Sequence, residues 1–410
     1  MFDYFLQDGR YMSFFGIAAI LGFAFLFSKN RNKVNFRLVG SALAMQFVLA
    51  FCILKTDIGR HIFQALAAGF SKLYQFADAG SQFVFGSLAD ISGPWGVVFA
   101  IKVVPIIIFF GALTALLFHL GIVQIFVKII SVAIRPILGT SGAETLCAAA
   151  NSMLGQTEAP LLIKRYLNDM TQSEILLVMV SGMATLSGSI LAVYGSMGVP
   201  MLHLLSASVM SIPGAILISK ILLPETEKAQ TVGGNNLDMK SDTSNVLDAI
   251  STGTTDGMKL AANVAAMLIT FISLIALINY FVGVTSSYAF GVPYTLDILF
   301  GKIFSWVAVL IGVPWQDKAN AGALLGQKLV INEFVAYANF VTMKLTPRAT
   351  IILTYALCGF SNFSCIGIQI GGIGALAPQK RGTIIKLGMM AVLGGTLANF
   401  LNAAIAGLFI

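Results

Sequence analysis

Glu158 and Glu333 are carboxylates embedded in hydrophobic sequence, and each has polar company. Gln156 stands beside the first, while Asn362 and Ser364 follow the second at a distance of about one helical hairpin. Such a set mixes hydrogen-bond acceptors and donors, which suits a polar, neutral solute bearing several hydroxyls. A second group offers hard oxygen ligands to a small cation: Asn151, the carbonyl of Leu154, Thr185 and the carbonyl of Leu186. Unwound backbone lining a cavity provides such ligands in ion-coupled carriers. Thr185, Ser187 and Ser189 can equally act as small packing residues that hydrogen-bond between helices. The carboxylates therefore carry the argument, because an ionisable group inside an apolar segment is a functional candidate by default. Phe360, beside the Asn362 cluster, can stack on a planar ring.

The elements that must position these groups belong to a membrane. Of 410 residues, 57% are hydrophobic and 10% charged, and the mean hydropathy is +0.87. A globular domain carries roughly 25% charged residues, so this composition excludes a soluble enzyme, a disordered chain and a nucleic-acid binder. The net charge of +7 reads as basic loops kept on the cytoplasmic side. Stretches of about 20 apolar residues are needed to span a bilayer, and segments 12–28, 37–55, 97–119, 174–197, 201–222, 261–283, 350–370 and 384–409 qualify. The first segment has neither a basic n-region nor a cleavage site, so no cleaved signal peptide is expected. The cluster Lys29, Arg31 and Lys33 places the N-terminus outside. That orientation puts Lys128, Arg135, Lys164, Arg165, Lys220, Lys228, Lys240, Lys380 and Arg381 in the cytoplasm, with Lys55, Arg60, Lys72, Lys344 and Arg348 as exceptions. Segments 56–93 and 297–313 read as interfacial, and Pro224 to Asp248 as a polar linker.

Two regions, 123–168 and 314–345, are apolar but interrupted near the middle by Asn151 to Pro160 and by Asn332-Glu333. Non-helical backbone at membrane depth persists only where protein or a water-filled cavity surrounds it, so both are expected to be re-entrant helical hairpins with polar tips. Glu158 is followed 29 residues later by Ser187, and Glu333 by Asn362 at the same spacing. Three spans separate the hairpins, an odd number, so they should enter from opposite sides. That is an inverted repeat, the architecture of secondary transporters with a midplane site.

Other signals lead nowhere. Cys52, Cys147, Cys358 and Cys365 form no C-x-x-C pair, and His61, His119 and His203 are scattered, so neither zinc nor a disulfide framework is indicated. Gly371-Gly372-Ile373-Gly374 follows an apolar helix rather than joining strand to helix, so no dinucleotide fold is implied. No Ser-His-Asp set has a credible context.

Three segments carry a specific likeness: Gly155-Gln156-Thr157-Glu158-Ala159-Pro160, Asn332-Glu333-Phe334-Val335-Ala336-Tyr337 and Gly359-Phe360-Ser361-Asn362-Phe363-Ser364. They resemble the signature segments of the concentrative nucleoside transporters, and the similarity covers nearly the whole chain. The resemblance implies a sodium-driven nucleoside symporter of a bacterial inner membrane, with no cofactor besides the coupling ion, no nucleic-acid partner and no enzymatic activity. It also implies a homotrimer in the lipid bilayer, eight spans and two opposed hairpins per protomer, and elevator motion of a transport part against a scaffold. Carried over, Gln156, Thr157 and Glu158 face the nucleobase, with Ile190 beside it; Glu333 and Asn362 hold the ribose, and Phe360 lies close to the substrate. Asn151, Leu154, Thr185 and Leu186 become the sodium ligands. Cys365 stands where relatives carry a ribose-contacting Ser, and Thr185 where they carry Ser. Proton-coupled relatives carry Ser at the position of Asn151, so Asn favours sodium; a proton-coupled carrier of the same fold is the first alternative, a membrane receptor or enzyme the second.

On this reading residues 1–122 form a scaffold part, 123–222 a first transport repeat, 223–257 a cytoplasmic linker, 258–283 a scaffold span and 284–410 a second transport repeat.

Overall fold

The computed structural model describes residues 9–90, 98–227, 229 and 243–410. Expectations for the first eight residues and for most of the linker, Lys228 and Lys240 included, lie outside the described residues. Among the described residues every regular element is a helix, and six helical stretches, one of them broken, are long and apolar enough to cross a membrane. The chain is an all-α polytopic membrane protein.

The first four helices are α1 (Arg10–Leu26), α2 (Phe36–Lys55), α3 (Asp57–Phe85) and α4 (Phe99–His119). Then come α5 (Ile122–Leu138), α6 (Gly142–Asn151) and a 3-10 turn at Ala159–Ile163. A broken helix follows, α7 (Gln172–Ala184) and α8 (Gly188–Ser196), then α9 (Met201–Leu222) and the long α10 (Val246–Phe290). The second part repeats the plan with α11 (Leu296–Leu310), the pair α12 (Lys318–Val330) and α13 (Glu333–Phe340), a broken helix α14 (Pro347–Leu357) and α15 (Ser364–Leu376), and α16 (Arg381–Phe409). Most residues of α7, α8 and α9 are buried, as is the second half of α16, so these form the centre. α10 instead exposes Ile269, Leu277, Phe281 and Tyr288 along its length.

Two expectations are corrected by this architecture. The first hairpin does not begin at residue 123. Gly139 takes φ 65 and ends α5, and Ser141 then starts α6 with a capping box to Glu144. α5 is a separate amphipathic helix that buries Val123, Val127 and Ile134 and exposes Ile125, Ile129 and Val132. Second, the polar linker does not extend to residue 257, nor is the following span confined to 261–283. Asn245 caps the backbone N–H of Asp248, and one helix runs from Val246 to Phe290. Its polar first turns are held against α4 where Gly111 meets Gly253 and Gly257, and a Cβ on Gly111 would lie 2.8 Å from the Gly253 carbonyl. Small residues at such a crossing let two backbones approach. Segment 350–370 is interrupted where its polar residues lie, as its sequence leads one to expect: α14 stops at Leu357 and α15 starts at Ser364.

A buried polar cluster fastens the first repeat at one end. Thr171 and Glu174 form a second capping box at the start of α7, and Ser141 Oγ donates to Glu174 Oε1 at 2.6 Å. Lys220 near the end of α9 pairs with Glu144 at 2.7 Å and donates to Ser173 Oγ at 3.0 Å. Lys220 and Glu144 side chains are 7% and 3% exposed, so removing one partner strands a buried charge. Such a loss costs about 3–5 kcal/mol, whereas replacing both partners by uncharged groups is far milder. Lys220→Met should therefore lower the thermal unfolding midpoint clearly, and Lys220→Met with Glu144→Gln should recover most of it. A double variant no more stable than the single one would show that the pair is incidental.

Candidate functional site

The two broken helices meet at the centre, and Asn399 of α16 links them. α7 ends where Thr185 turns extended (φ −123, ψ 169), and Ser187 precedes the first turn of α8. The breaks leave carbonyls without helical partners. Asn399 Nδ2 donates to the Ala184 carbonyl at 2.7 Å, and to the Cys358 carbonyl of the other break at 2.8 Å. Its Oδ1 accepts from Lys328 Nζ at 2.7 Å and from Ser361 Oγ at 3.2 Å. Gly359 is what lets Asn399 in, since a Cβ there would collide with its amide.

The tip of the first helix pair lies against both breaks. Gly188 N–H donates to the Met153 carbonyl at 2.8 Å, which fixes the tip to the first break. Gln156 packs on α7 where Gly182 leaves room: a Cβ at Gly182 would sit 2.8 Å from Cβ of Gln156. Thr157 lies against Gly372 of α15, so the tip is wedged between the two broken helices. In the second pair, Asn332 caps α13 by accepting from Val335 N–H at 2.9 Å. Glu333 follows as the first residue of α13, where the positive end of the helix dipole favours a carboxylate.

These elements bring most of the expected polar residues into one network. Glu333 is 5% exposed; its Oε1 accepts from Tyr194 Oη at 3.3 Å and its Oε2 from Asn362 Nδ2 at 3.0 Å. Asn362 Oδ1 accepts in turn from Ser364 Oγ at 2.6 Å and from the backbone N–H of Cys365 at 3.0 Å. Cys365 Sγ accepts from Gln156 Nε2 at 3.3 Å, which joins the first tip to the second break. Gln156 Oε1 takes a bond from Gln369 Nε2 at 3.1 Å. Ile190 is buried in the first turn of α8 and Phe360 is half-buried in the second break. Glu158 stands apart: its Oε2 accepts from its own loop, the Gly155 N–H at 3.3 Å, and its side chain is exposed.

The expected cation ligands surround the first break. Asn151 is fully buried; Nδ2 donates to Ser181 Oγ at 3.0 Å, and Oδ1 has no hydrogen-bond partner. Thr185 Oγ1 donates to the Ser181 carbonyl at 2.8 Å, so its hydroxyl oxygen keeps lone pairs for another ligand. Among the described residues no donor reaches the carbonyls of Leu154 or Leu186. A buried amide oxygen without a donor costs free energy, and a hard cation is the ligand such an oxygen set fits.

Sequence reasoning passed over Tyr194, Lys328, Gln369 and Asn399. Lys328 and Asn399 had a usable signal, a polar group inside an apolar segment. Tyr194 and Gln369 become informative only once two distant helices are seen to cross.

Comparison with known proteins agrees throughout the chain. Residues 15–88 match the family described as Na+ dependent nucleoside transporter N-terminus, 203–407 its C-terminal counterpart, and 100–201 a nucleoside recognition (Gate) family. An uncharacterized transporter of Haemophilus influenzae is 44% identical over 407 residues, covering 97% of each chain. The nucleoside permease NupC of Helicobacter pylori is 39% identical and covers 96% of each. CNTnw in an inward-facing substrate-bound state superposes with a TM-score of 0.91 at 39% identity, covering 97% of each chain. A polytopic membrane protein with its polar groups gathered at two helix breaks, alike in sequence and shape over its full length to nucleoside carriers, is a transporter and not an enzyme. The chain belongs to the Na+ dependent nucleoside transporter family, the concentrative nucleoside transporters.

Proposed function

We propose that this protein imports nucleosides across a bacterial inner membrane, driven by a sodium gradient, as a homotrimer working by an elevator motion. Eight spans and two re-entrant hairpins complete each protomer. Glu333 and Asn362 accept and donate to the ribose hydroxyls, Gln156, Thr157 and Glu158 face the base with Ile190, Phe360 lies close to the substrate, and Cys365 contacts the ribose weakly. One observation carries the coupling assignment: Asn151 Oδ1 is buried without a donor, beside the first break. Sodium at Asn151, Leu154, Thr185 and Leu186 satisfies that oxygen and holds the tip of the first hairpin on α7, where Gln156 meets the second break. Ion binding thereby stabilises the substrate side of the tip. Glu158, exposed and bonded only to Gly155, is free to turn toward a bound base.

Labelled uridine uptake into proteoliposomes tests this directly. Accumulation should require an inward sodium gradient and persist when the proton gradient is collapsed. Full accumulation on a proton gradient in sodium-free buffer would assign the chain to the proton-coupled alternative instead.

Cys365 gives a further expectation. Its Sγ takes the Gln156 amide at 3.3 Å, and a hydroxyl is a stronger acceptor and donor than a thiol. Cys365→Ser should keep transport and tighten uridine binding about twofold, since a neutral hydrogen bond is worth roughly 0.5–1.5 kcal/mol and only part of that is gained. In a variant retaining Cys365 alone, a small hydrophilic thiol reagent should inhibit uptake, and excess uridine should slow the inhibition. A functional single-cysteine carrier that is never labelled would remove Cys365 from the cavity.

A further inference from the structure

Lys328 is 1% exposed, lies five residues before Glu333, and makes no ion pair among the described residues. Its ammonium donates instead to two neutral oxygens, the Ala356 carbonyl and Asn399 Oδ1, each at 2.7 Å. A buried cation without a carboxylate is costly in a membrane protein, and an apolar side chain of similar length would fill the same space without that cost. The place it occupies explains the charge. Ala356 lies in the last turn of α14, at the carbonyl end of a broken helix, where the dipole favours a cation.

The first repeat has a related construction at the corresponding place. α7 and α14 begin 175 residues apart, as do Glu158 and Glu333, and this register equates Ser181 with Ala356. In the first repeat, Asn151 at the end of α6 reaches Ser181 in the last turn of α7, and its second polar atom is left bare. In the second repeat, Lys328, two residues past Gly326 at the counterpart of Asn151, reaches the backbone carbonyl of Ala356 in the last turn of α14, where Asn151 reaches the side chain of Ser181. An ammonium already stands there. Asn399 connects the two places, since its oxygen takes the ammonium while its amide holds the Ala184 and Cys358 carbonyls.

We propose that Lys328 is a tethered cation that does for the second break what the transported sodium does for the first, neutralising the carbonyl end of α14 so that the break and Glu333 hold the shape the substrate needs. Lys328 is thus a positioning residue: it acts on the substrate through Asn399, the second break and Glu333. The comparison of the two repeats rests on the sodium reading proposed above. It follows that one sodium, not two, prepares the carrier for its substrate.

The test is equilibrium binding of labelled uridine to the purified carrier as sodium is varied. Wild type should show a Hill slope of one in sodium. Lys328→Met should weaken uridine binding tenfold or more at saturating sodium. Lys328→Ala should lose as much, and should regain several-fold with added propylammonium but not with propanol. A wild-type slope of two, wild-type affinity in Lys328→Met, or equal rescue by propanol would each overturn the proposal. Should the neutral variants fail to fold, judged by gel filtration, the wild-type slope decides. If wild-type binding ignores sodium altogether, the coupling assignment fails on its own. The Lys328 variants, with and without propylammonium in sodium-free buffer, then still decide whether a tethered cation holds the second break.

Discussion

Glu333→Gln should weaken uridine binding by tenfold to a hundredfold while leaving the protein folded. The carboxylate holds Asn362 Nδ2 on one oxygen and Tyr194 Oη on the other, which fixes its plane in a pocket where it is 5% exposed. Each oxygen keeps lone pairs beyond these bonds, and in the proposed site they accept from ribose hydroxyls. A hydrogen bond to a charged group is worth about 1.5–3 kcal/mol, and each 1.4 kcal/mol is about tenfold in affinity. An amide at the same position removes the charge and turns one acceptor into a donor, which then faces either Asn362 Nδ2 or the tyrosine hydroxyl. 3′-Deoxyuridine supplies the second leg of the cycle. It should bind wild type at least tenfold more weakly than uridine, and Glu333→Gln should discriminate far less between the two. Unchanged uridine affinity in Glu333→Gln, or undiminished discrimination, would make the residue structural.

Much of this arrangement is legible in the sequence because a membrane makes polarity expensive. The interrupted segments around Glu158 and Glu333 show where helices must turn back, and their equal spacing to Ser187 and Asn362 announces the two breaks. What escapes is what depends on pairing. Asn399 sits in an otherwise apolar span, and only its bonds to Ala184 and Cys358 reveal that it bridges the breaks. Gln369 resembles any polar residue of α15 until its amide is seen on Gln156 and the Met179 carbonyl. Lys328 stands out as a charge inside an apolar segment, but that its ammonium meets Ala356 and Asn399 is visible only in the fold. The misplaced start of the first hairpin has a different origin. Gly139, Ser141 and Glu144 spell a helix stop followed by a new cap, but hydropathy averaged over the region passes across them, and the positive φ at Gly139 is where the amphipathic α5 ends. The length of α10 is missed for a related reason: Ser251, Thr254 and Asp256 look like linker, yet they occupy the polar side of a helix whose glycines lie on α4.

Asn151→Leu should abolish sodium-driven accumulation of uridine, a loss of tenfold or more, without unfolding the protein. The amide is not free to choose its orientation. Nδ2 is committed to Ser181 Oγ at 3.0 Å, and therefore Oδ1 points away from that bond with no donor opposite it. Leucine nearly preserves the volume and deletes both polar atoms, so it relieves the unpaired oxygen and removes the proposed ion ligand together. Stability should consequently hold or rise, a direction that a merely structural asparagine would not give. Residual uridine binding in Asn151→Leu should become insensitive to sodium, because the ion no longer fastens the tip of the first hairpin. Ser181→Ala probes the same geometry without touching a ligand. It releases Nδ2, lets the amide rotate, and should raise the sodium concentration for half-maximal binding several-fold while uridine affinity at saturating sodium changes little. If Asn151→Leu still concentrates uridine on a sodium gradient, the coupling ion binds elsewhere, and the bare oxygen at the first break belongs to packing and not to transport.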